Sequence, residues 1–382
     1  MPHAAGHDRP LLLAVRPLKL GDLLVAVPAL RALRAAFPEH RIAYAAAGWL
    51  APVVELIGGI DLLDTPHGLD VPLPVPPSGI DVAVNLHGHG GQSLPRVQEL
   101  AARRVLSHAG GGASAGPPWR DDLHERERWA RMLHWFGIAA DPLDLHLPVP
   151  AAAGPAPGAA VVHVGAAHGS RAWPVARFAA VARALSRAGH RVVMTGGGSD
   201  VPRGLAAVAA AQLPDAAMLA GRLGLAQFAA TIAHAALVVT ADTGAAHLAS
   251  AYRRPSVVLF GPAPIEQWGP PPGPHLALTD ALLRRGEVFA TDPDPALLAV
   301  TTEDVLTAVD QVLDAHGAAG DDQPMRSRRS VHAGGTADID AAAAVTVGYQ
   351  PPGAEPDPAA RALTAAARPR RRRTAPRRRR AG

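Results

Sequence analysis

The chain contains no cysteine, which excludes disulfide scaffolds, thiolate zinc sites, iron–sulfur clusters and cysteine nucleophiles. Aromatic residues are scarce, with 6 Phe, 6 Trp and 3 Tyr. The 48% hydrophobic share is therefore mostly Ala, Leu and Val, side chains suited to close-packed α/β layers. No apolar run reaches the roughly 18 residues that suggest a membrane-spanning helix. The nearest stretch, 42–63, is broken by Gly48, Pro52, Glu55, Gly58, Gly59 and Asp61. Met1 to Pro10 carry His and Asp ahead of a five-residue apolar run, which is not the pattern of a signal peptide. The patterns GxxxxGK[ST], GxSxG and HExxH are also missing. These absences lead to the expectation of a cytoplasmic protein, at most peripheral at the inner face of the membrane.

The 382 residues suffice for two domains with length left over. Charge is unevenly spread. From Asp321 onward there are 13 Arg against 6 acidic residues, net +7, leaving 24 basic and 27 acidic residues, net −3, in the rest. The high isoelectric point thus belongs to the tail, which ends in two Arg runs, Arg370 to Arg373 and Arg377 to Arg380. Like-charge repulsion and little apolar surface predict a disordered segment over 319–382. Its expected partner, if any, is anionic: a membrane surface or nucleic acid bound without sequence preference, since no aromatics interleave the Arg runs.

Upstream of the tail, strands and helices alternate, the pattern of parallel sheets covered on both faces. Leu11 to Val15 reads as a buried strand. A polar turn from Arg16 to Gly21 leads into a helical run with Asp22 at its N-cap and Pro38 after its end. Further strands are expected at 42–46 and 81–86, and helices at 49–57 and 126–136. The small-residue, Pro/Gly-spaced stretch 151–158 reads as a linker. The alternation then restarts, with strands at 160–164, 191–195, 216–219, 236–240 and 256–260. Helices are expected at 174–188, 202–212, 225–235, 245–251 and 302–315. This divides the chain into an N-terminal domain 1–150, a linker 151–158, a C-terminal domain 159–318 and the tail. Ligands of such folds bind in the crevice at the carboxyl ends of the strands.

Four turns could carry chemistry. In Ala241-Asp242-Thr243-Gly244-Ala245-Ala246-His247 a buried strand meets a helix start, where first-turn N–H groups, the helix dipole and the Thr243 hydroxyl suit a phosphate or diphosphate. The dipole alone contributes about 0.3–1 kcal/mol near a surface, so cations would have to help. His247 lies one turn along. The plainer reading, equally open, is an Asp/Thr cap beside a structural His. Asp22 is either a simple helix cap or a carboxylate at the cleft mouth able to take a proton from a substrate hydroxyl. In His168-Gly169-Ser170-Arg171-Ala172-Trp173-Pro174, Arg171 is either a solvated side chain or a bidentate phosphate ligand. Gly196-Gly197-Gly198-Ser199-Asp200 is a flexible turn or a place for close ligand approach, with Asp200 toward a ribose or base. His87-Gly88-His89 has metal-compatible spacing but no clustered third ligand, and reads as a polar loop lining the cleft.

Taken together, these motifs resemble glycosyltransferase family 9, the heptosyltransferase family. Gly21-Asp22 with Pro28, Leu30 to Arg34, Phe37-Pro38, Leu86-His87-Gly88, and Leu123 to Arg126 before a helix ending Phe136-Gly137 carry the resemblance in the first half. Trp173-Pro174, Thr195-Gly196-Gly197, Ala220-Gly221, Asp242-Thr243-Gly244 with His247, Pro255 to Pro262 and Trp268-Gly269-Pro270 carry it in the second. The resemblance implies an α/β protein of GT-B architecture, two Rossmann-like domains with parallel sheets facing a central cleft. It also implies inverting, metal-independent, cofactor-free transfer of a sugar from a nucleotide diphosphate donor, ADP-heptose in the best-known members, to an acceptor hydroxyl of a cell-envelope glycan or small molecule. On that mapping Asp22 is the general base. Arg171 stands where the family usually has Lys, and Asp242, Thr243 and Gly244 form the diphosphate turn supported by His247. Asp200 lies on the nucleotide side, with Lys19 and His87 on the acceptor side. A second reading is a nucleotide-sugar-binding protein without catalysis, acting as a sensor or scaffold.

Overall fold

The computed structural model describes residues 9–110 and 115–318. The Arg-rich segment 319–382 lies outside the described residues. The chain forms two five-stranded sheets in which every strand pairing is parallel.

The first sheet is built from β1 (Leu11–Val15), β2 (Arg41–Ala46), β3 (Asp61–Asp64), β4 (Val82–Asn85) and β5 (Arg104–Leu106), in the order β3-β2-β1-β4-β5. Helix α1 (Leu20–Ala36) follows β1, α2 (Ala51–Ile57) follows β2 after a 3₁₀ turn, α3 (Ser93–Gln98) joins β4 to β5, and α4 (Glu125–Trp135) comes last. The helix expected from Asp22 begins two residues earlier and keeps Pro28 inside it. Asp22 is therefore not the N-cap. It sits in the first turn, and its Oδ2 accepts the backbone N–H of the cap residue, Lys19, at 3.3 Å.

The second sheet contains β6 (Ala160–His163), β7 (Val192–Thr195), β8 (Leu237–Ala241), β9 (Ser256–Leu259) and β10 (His275–Leu278), ordered β10-β9-β8-β6-β7. Helices α5 (Val175–Arg187), α6 (Val201–Ala211), α7 (Leu225–Ala233), α8 (Gly244–Ala251), α9 (Ile265–Trp268), α10 (Pro295–Ala299) and α11 (Thr302–Ala318) surround it. The strand expected at 216–219 is instead a 3₁₀ turn, Asp215–Ala217, followed by a single bridge between Met218 and Met194. Pro214 and Asp215 favour that turn over an extended edge. Residues 151–158 carry no helix or strand. They lie against α7, where a Cβ on Gly154 would come within 2.4 Å of Thr231 Oγ1.

In each sheet the strand order reverses beside the first strand, between β1 and β4 and between β6 and β8, so two switch-point crevices are formed. They face one another because α1 packs on α8. Leu23, Val27 and Leu30 of α1 belong to one apolar cluster with Ala245, Leu248 and Ala249 of α8. The architecture is GT-B.

Candidate active site

The two crevices bring most of the anticipated residues into one cleft. Strand β1 ends at Val15, and Arg16, next in line, is 1% exposed. Its Nη2 bonds Asp22 Oδ1 at 2.9 Å and Glu125 Oε1 at 2.8 Å, and its Nε donates to the Asp22 carbonyl at 3.0 Å. A further N–H reaches the Leu86 carbonyl at the end of β4. Glu125, at the start of α4, is also paired with Arg128 and accepts Trp129 Nε1–H at 3.1 Å. Arg16 Cζ lies 5.1 Å from the centre of the Trp129 ring. Asp22 is thus fixed by a buried guanidinium that also ties together β1, β4 and α4.

The net effect on Asp22 is an upward shift. Burial disfavours its charged form, Glu125 adds to that, and Arg16, the Lys19 N–H and Arg171 oppose it. A carboxylate with a raised pKa is the better proton acceptor. Lys19, the single lysine of the chain, is the cap of α1 and is partly exposed. His87 follows β4 in a loop shaped by Asn85, whose side chain bonds the His87 N–H, the Gly88 carbonyl and Ser93 Oγ. Burial and the Arg16 charge hold the His87 imidazole down to about 3.

Across the cleft, Arg171 Nη1 lies 3.1 Å from Asp242 Oδ2, both side chains being buried. Neither oxygen of Asp242 has a well-aligned hydrogen bond among the described residues. Burial drives its pKa well upward, Arg171 opposes this and Asp22 reinforces it. Asp22 and Asp242, on different lobes, therefore lie close enough to repel each other. His247 sits one turn into α8 with Nε2 buried and without a partner among the described residues. Burial and the charges of Arg126 and Arg171 hold it neutral, with a pKa of about 3.

Two expected residues have other work. Thr243 Oγ1 is 2.6 Å from Thr240 Oγ1 and accepts the Ala245 N–H at 3.3 Å, so the hydroxyl is the N-cap of α8, turned inward. The Ala246 N–H is also satisfied internally, by the Thr243 carbonyl at 2.7 Å. Gly244 opens the helix. Asp200 accepts N–H groups from Gly197 at 2.8 Å and Ala166 at 3.4 Å, closing the loops after β7 and β6 onto each other. It is 2% exposed, with its carboxylate turned onto these two loops. A Cβ at Gly196 would meet Asp200 Cβ at 2.7 Å, which explains the glycine there.

Arg16, Trp129 and His163 carry no sequence signal of a role, and Glu125 and Arg126 stand out only within the stretch Leu123 to Arg126 that carries the family resemblance. His163 ends β6, with Nδ1 3.0 Å from Thr195 Oγ1 and a pKa of about 3 from burial and Arg203. Among the described residues no group of three His, Cys, Asp or Glu is placed to hold a metal ion. No helix among them is long and apolar enough to cross a membrane.

Residues 147–277 match the model of glycosyltransferase family 9 (heptosyltransferase). The lipopolysaccharide heptosyltransferase 2 of Salmonella typhimurium is 32% identical over 157 residues, covering 39% of this chain and 44% of the relative. The chain thus aligns with less than half the length of that curated relative. Two solved structures share the fold over a greater length. The family 9 glycosyl transferase of Veillonella parvula is 20% identical with a TM-score of 0.64, covering 82% of this chain and all of the other. E. coli ADP-heptose LPS heptosyltransferase II is 20% identical with a TM-score of 0.65, covering 81% and 99%. The similarity to glycosyltransferase family 9 thus lies over residues 147–277, within a fold shared with these two solved structures over about four-fifths of the chain.

Proposed function

We propose that the protein is an inverting, metal-independent glycosyltransferase. It moves a heptose or related sugar from a nucleotide diphosphate donor of the ADP-heptose kind to a hydroxyl of a cell-envelope glycan or small molecule. On this reading residues 1–150 form the acceptor lobe, 151–158 the connection and 159–318 the donor lobe, and the enzyme works in the cytoplasm at the inner face of the membrane. The names of the relatives support the donor class. The observation that carries the chemistry is the opposition of Asp22 to the Arg171–Asp242–His247 group across one cleft.

The acceptor oxygen attacks the anomeric carbon from the face opposite the diphosphate while its proton passes to the Asp22 carboxylate. The bond from that carbon to the phosphate oxygen breaks, and its electron pair leaves with the nucleoside diphosphate. Arg171 and His247 line the side where negative charge grows, and fixed donors in a poorly solvated site act there with little reorganisation. Asp242 holds Arg171 in place. Gly244 leaves room at the turn, and Thr243 and Asp200 act one step back by fixing the α8 cap and the loops after β6 and β7. Lys19 and His87 flank Asp22 where the acceptor enters.

A thermal-shift screen of the protein with sugar nucleotides and free nucleotides, followed by transfer assays with and without EDTA, tests this. A ligand at about 100 times its Kd stabilises the native state by roughly 2.7 kcal/mol. An ADP-sugar is expected to raise the melting temperature, and turnover to survive EDTA. No shift with any sugar nucleotide contradicts the reading. Binding without transfer to any acceptor favours the sensor reading, and turnover abolished by EDTA removes metal independence.

A further inference from the structure

Arg126 is a buried cation without an anion. It stands in the first turn of α4 on the first lobe and is 7% exposed, yet among the described residues it forms no ion pair with any carboxylate. One of its N–H groups donates to the Gly269 carbonyl of the second lobe at 3.0 Å. His124 makes the same crossing. Its Nδ1 accepts the Arg126 backbone N–H at 3.1 Å, so the ring proton is on Nε2, which donates to the same Gly269 oxygen at 3.1 Å. Gln267 Nε2, on α9, reaches back to the Asp121 carbonyl at 2.6 Å. Residues 121–126 and 267–269 therefore form a hydrogen-bonded latch between the lobes.

The latch holds the Arg126 guanidinium within electrostatic reach of His247, whose Nε2 is buried and without a partner. A neutral imidazole does not repay the desolvation of a guanidinium, and a single carbonyl uses one of its five N–H groups. Glu127 is the one carboxylate acting on Arg126, and burial still lowers its pKa to about 10. Groups of this kind are completed by an oxyanion that can accept the remaining planar donors, which is how Arg recognises phosphoryl groups.

We propose that Arg126 is a second cation of the anion site, supplied by the acceptor lobe and held across the cleft by the Gly269 latch, so that binding of a diphosphate and contact between the lobes reinforce each other. The inference rests on the reading of the Arg171–His247 side as a diphosphate site.

Calorimetric titration of the full chain with two probes, inorganic pyrophosphate and ADP, tests it. Arg126→Gln is expected to raise both dissociation constants by about tenfold or more and to flatten their dependence on salt, since one ion pair is lost. Arg126→Lys should recover part of the affinity. His124→Ala, which loosens the latch and keeps the charge, should cost less than Arg126→Gln. If Arg126→Gln binds both probes as the wild type does, the inference is overturned and the nucleotide reading stands. If the wild type binds pyrophosphate but not ADP, and Arg126→Gln loses pyrophosphate, the inference stands and the nucleotide reading falls. A wild type that binds neither probe overturns both. Should Arg126→Gln fail to fold, Arg126→Lys carries the test, because an ammonium lacks the planar fork; unchanged affinity there contradicts the inference.

Discussion

Asp22 owes its surroundings to partners distant in sequence. The Gly-Asp ahead of an apolar helix was legible as chemistry or cap, and its place at the cleft follows from the strand–turn–helix order. Arg16 was not legible as its partner, because an Arg in a polar turn looks solvated and Glu125, which completes the triad, is 109 positions away. The Arg16 charge opposes the upward shift of Asp22. Removing it by Arg16→Gln should push that pKa higher still, so less of the base is ionised at a given pH. The acid limb of kcat/KM should move to higher pH, and Arg16→Lys, which keeps the charge, should move it less. An unmoved limb in Arg16→Gln contradicts the role of Arg16. Thr243 teaches the opposite lesson, since its Oγ1 is spent on Thr240 and the α8 cap. Thr243→Val should therefore cost about 0.5–2 kcal/mol of stability, as lost caps do, and change donor affinity less than Arg171→Ala. Denaturant melts and donor titrations of both variants decide it.

At the scale of elements, the long apolar strands and amphipathic helices were legible because periodicity reports burial directly. β3, β5 and β10 were not. β3 and β5 are short, partly exposed strands at the edges of the first sheet, and β10 has the same place in the second, so little apolar patterning marks them. The turn that presents Arg171 reads as a loop from its Gly, Ser and Pro, but no sequence pattern marks its anchoring. Ser170 bonds Ala290 and Val288 carbonyls at 2.9 and 2.7 Å, and the Asp294 N–H returns to the Ser170 carbonyl at 3.0 Å. Gly169 lies so close to this strap that a Cβ would fall 1.5 Å from the Thr291 carbonyl oxygen. Gly169→Ala must therefore displace the turn. It should weaken donor binding about as far as Arg171→Ala does while leaving Asp22 and its triad in place. Donor affinity in Gly169→Ala equal to that of the wild type would refute the strap as the support of Arg171.

The two lobes of the described residues pack on one another beside the cleft. The apolar cluster shared by α1 and α8 runs from one sheet to the other, and Arg31 adds bonds to Asp144 and His146 from the α1 side. Six histidines, His87, His108, His124, His163, His247 and His275, are held neutral by burial, with pKa values of about 3 to 4. In the unfolded chain each titrates near 6.5. Between about pH 6.5 and 4 the unfolded form binds the extra protons, so each costs about 1.4 kcal/mol per pH unit as pH falls. Asp22, Asp200 and Asp242 have raised values and oppose this, because on acidification the folded form takes up protons first. The carboxyl shifts offset part of the histidine term, and a net loss is expected. The melting temperature should fall steadily from pH 7 to 5, in one cooperative transition. A flat profile over that range, or two separated transitions, would contradict this account of the interior.

We propose that Asp22 acts on the acceptor and the Arg171–Asp242–His247 group on the donor. Donor titration and transfer by Asp22→Asn, measured side by side, test it most directly. The variant is expected to keep wild-type affinity for the ADP-sugar while transfer falls about 10²–10⁴-fold, the usual weight of a general base. Transfer at the wild-type rate, or donor affinity lost together with transfer, would contradict it.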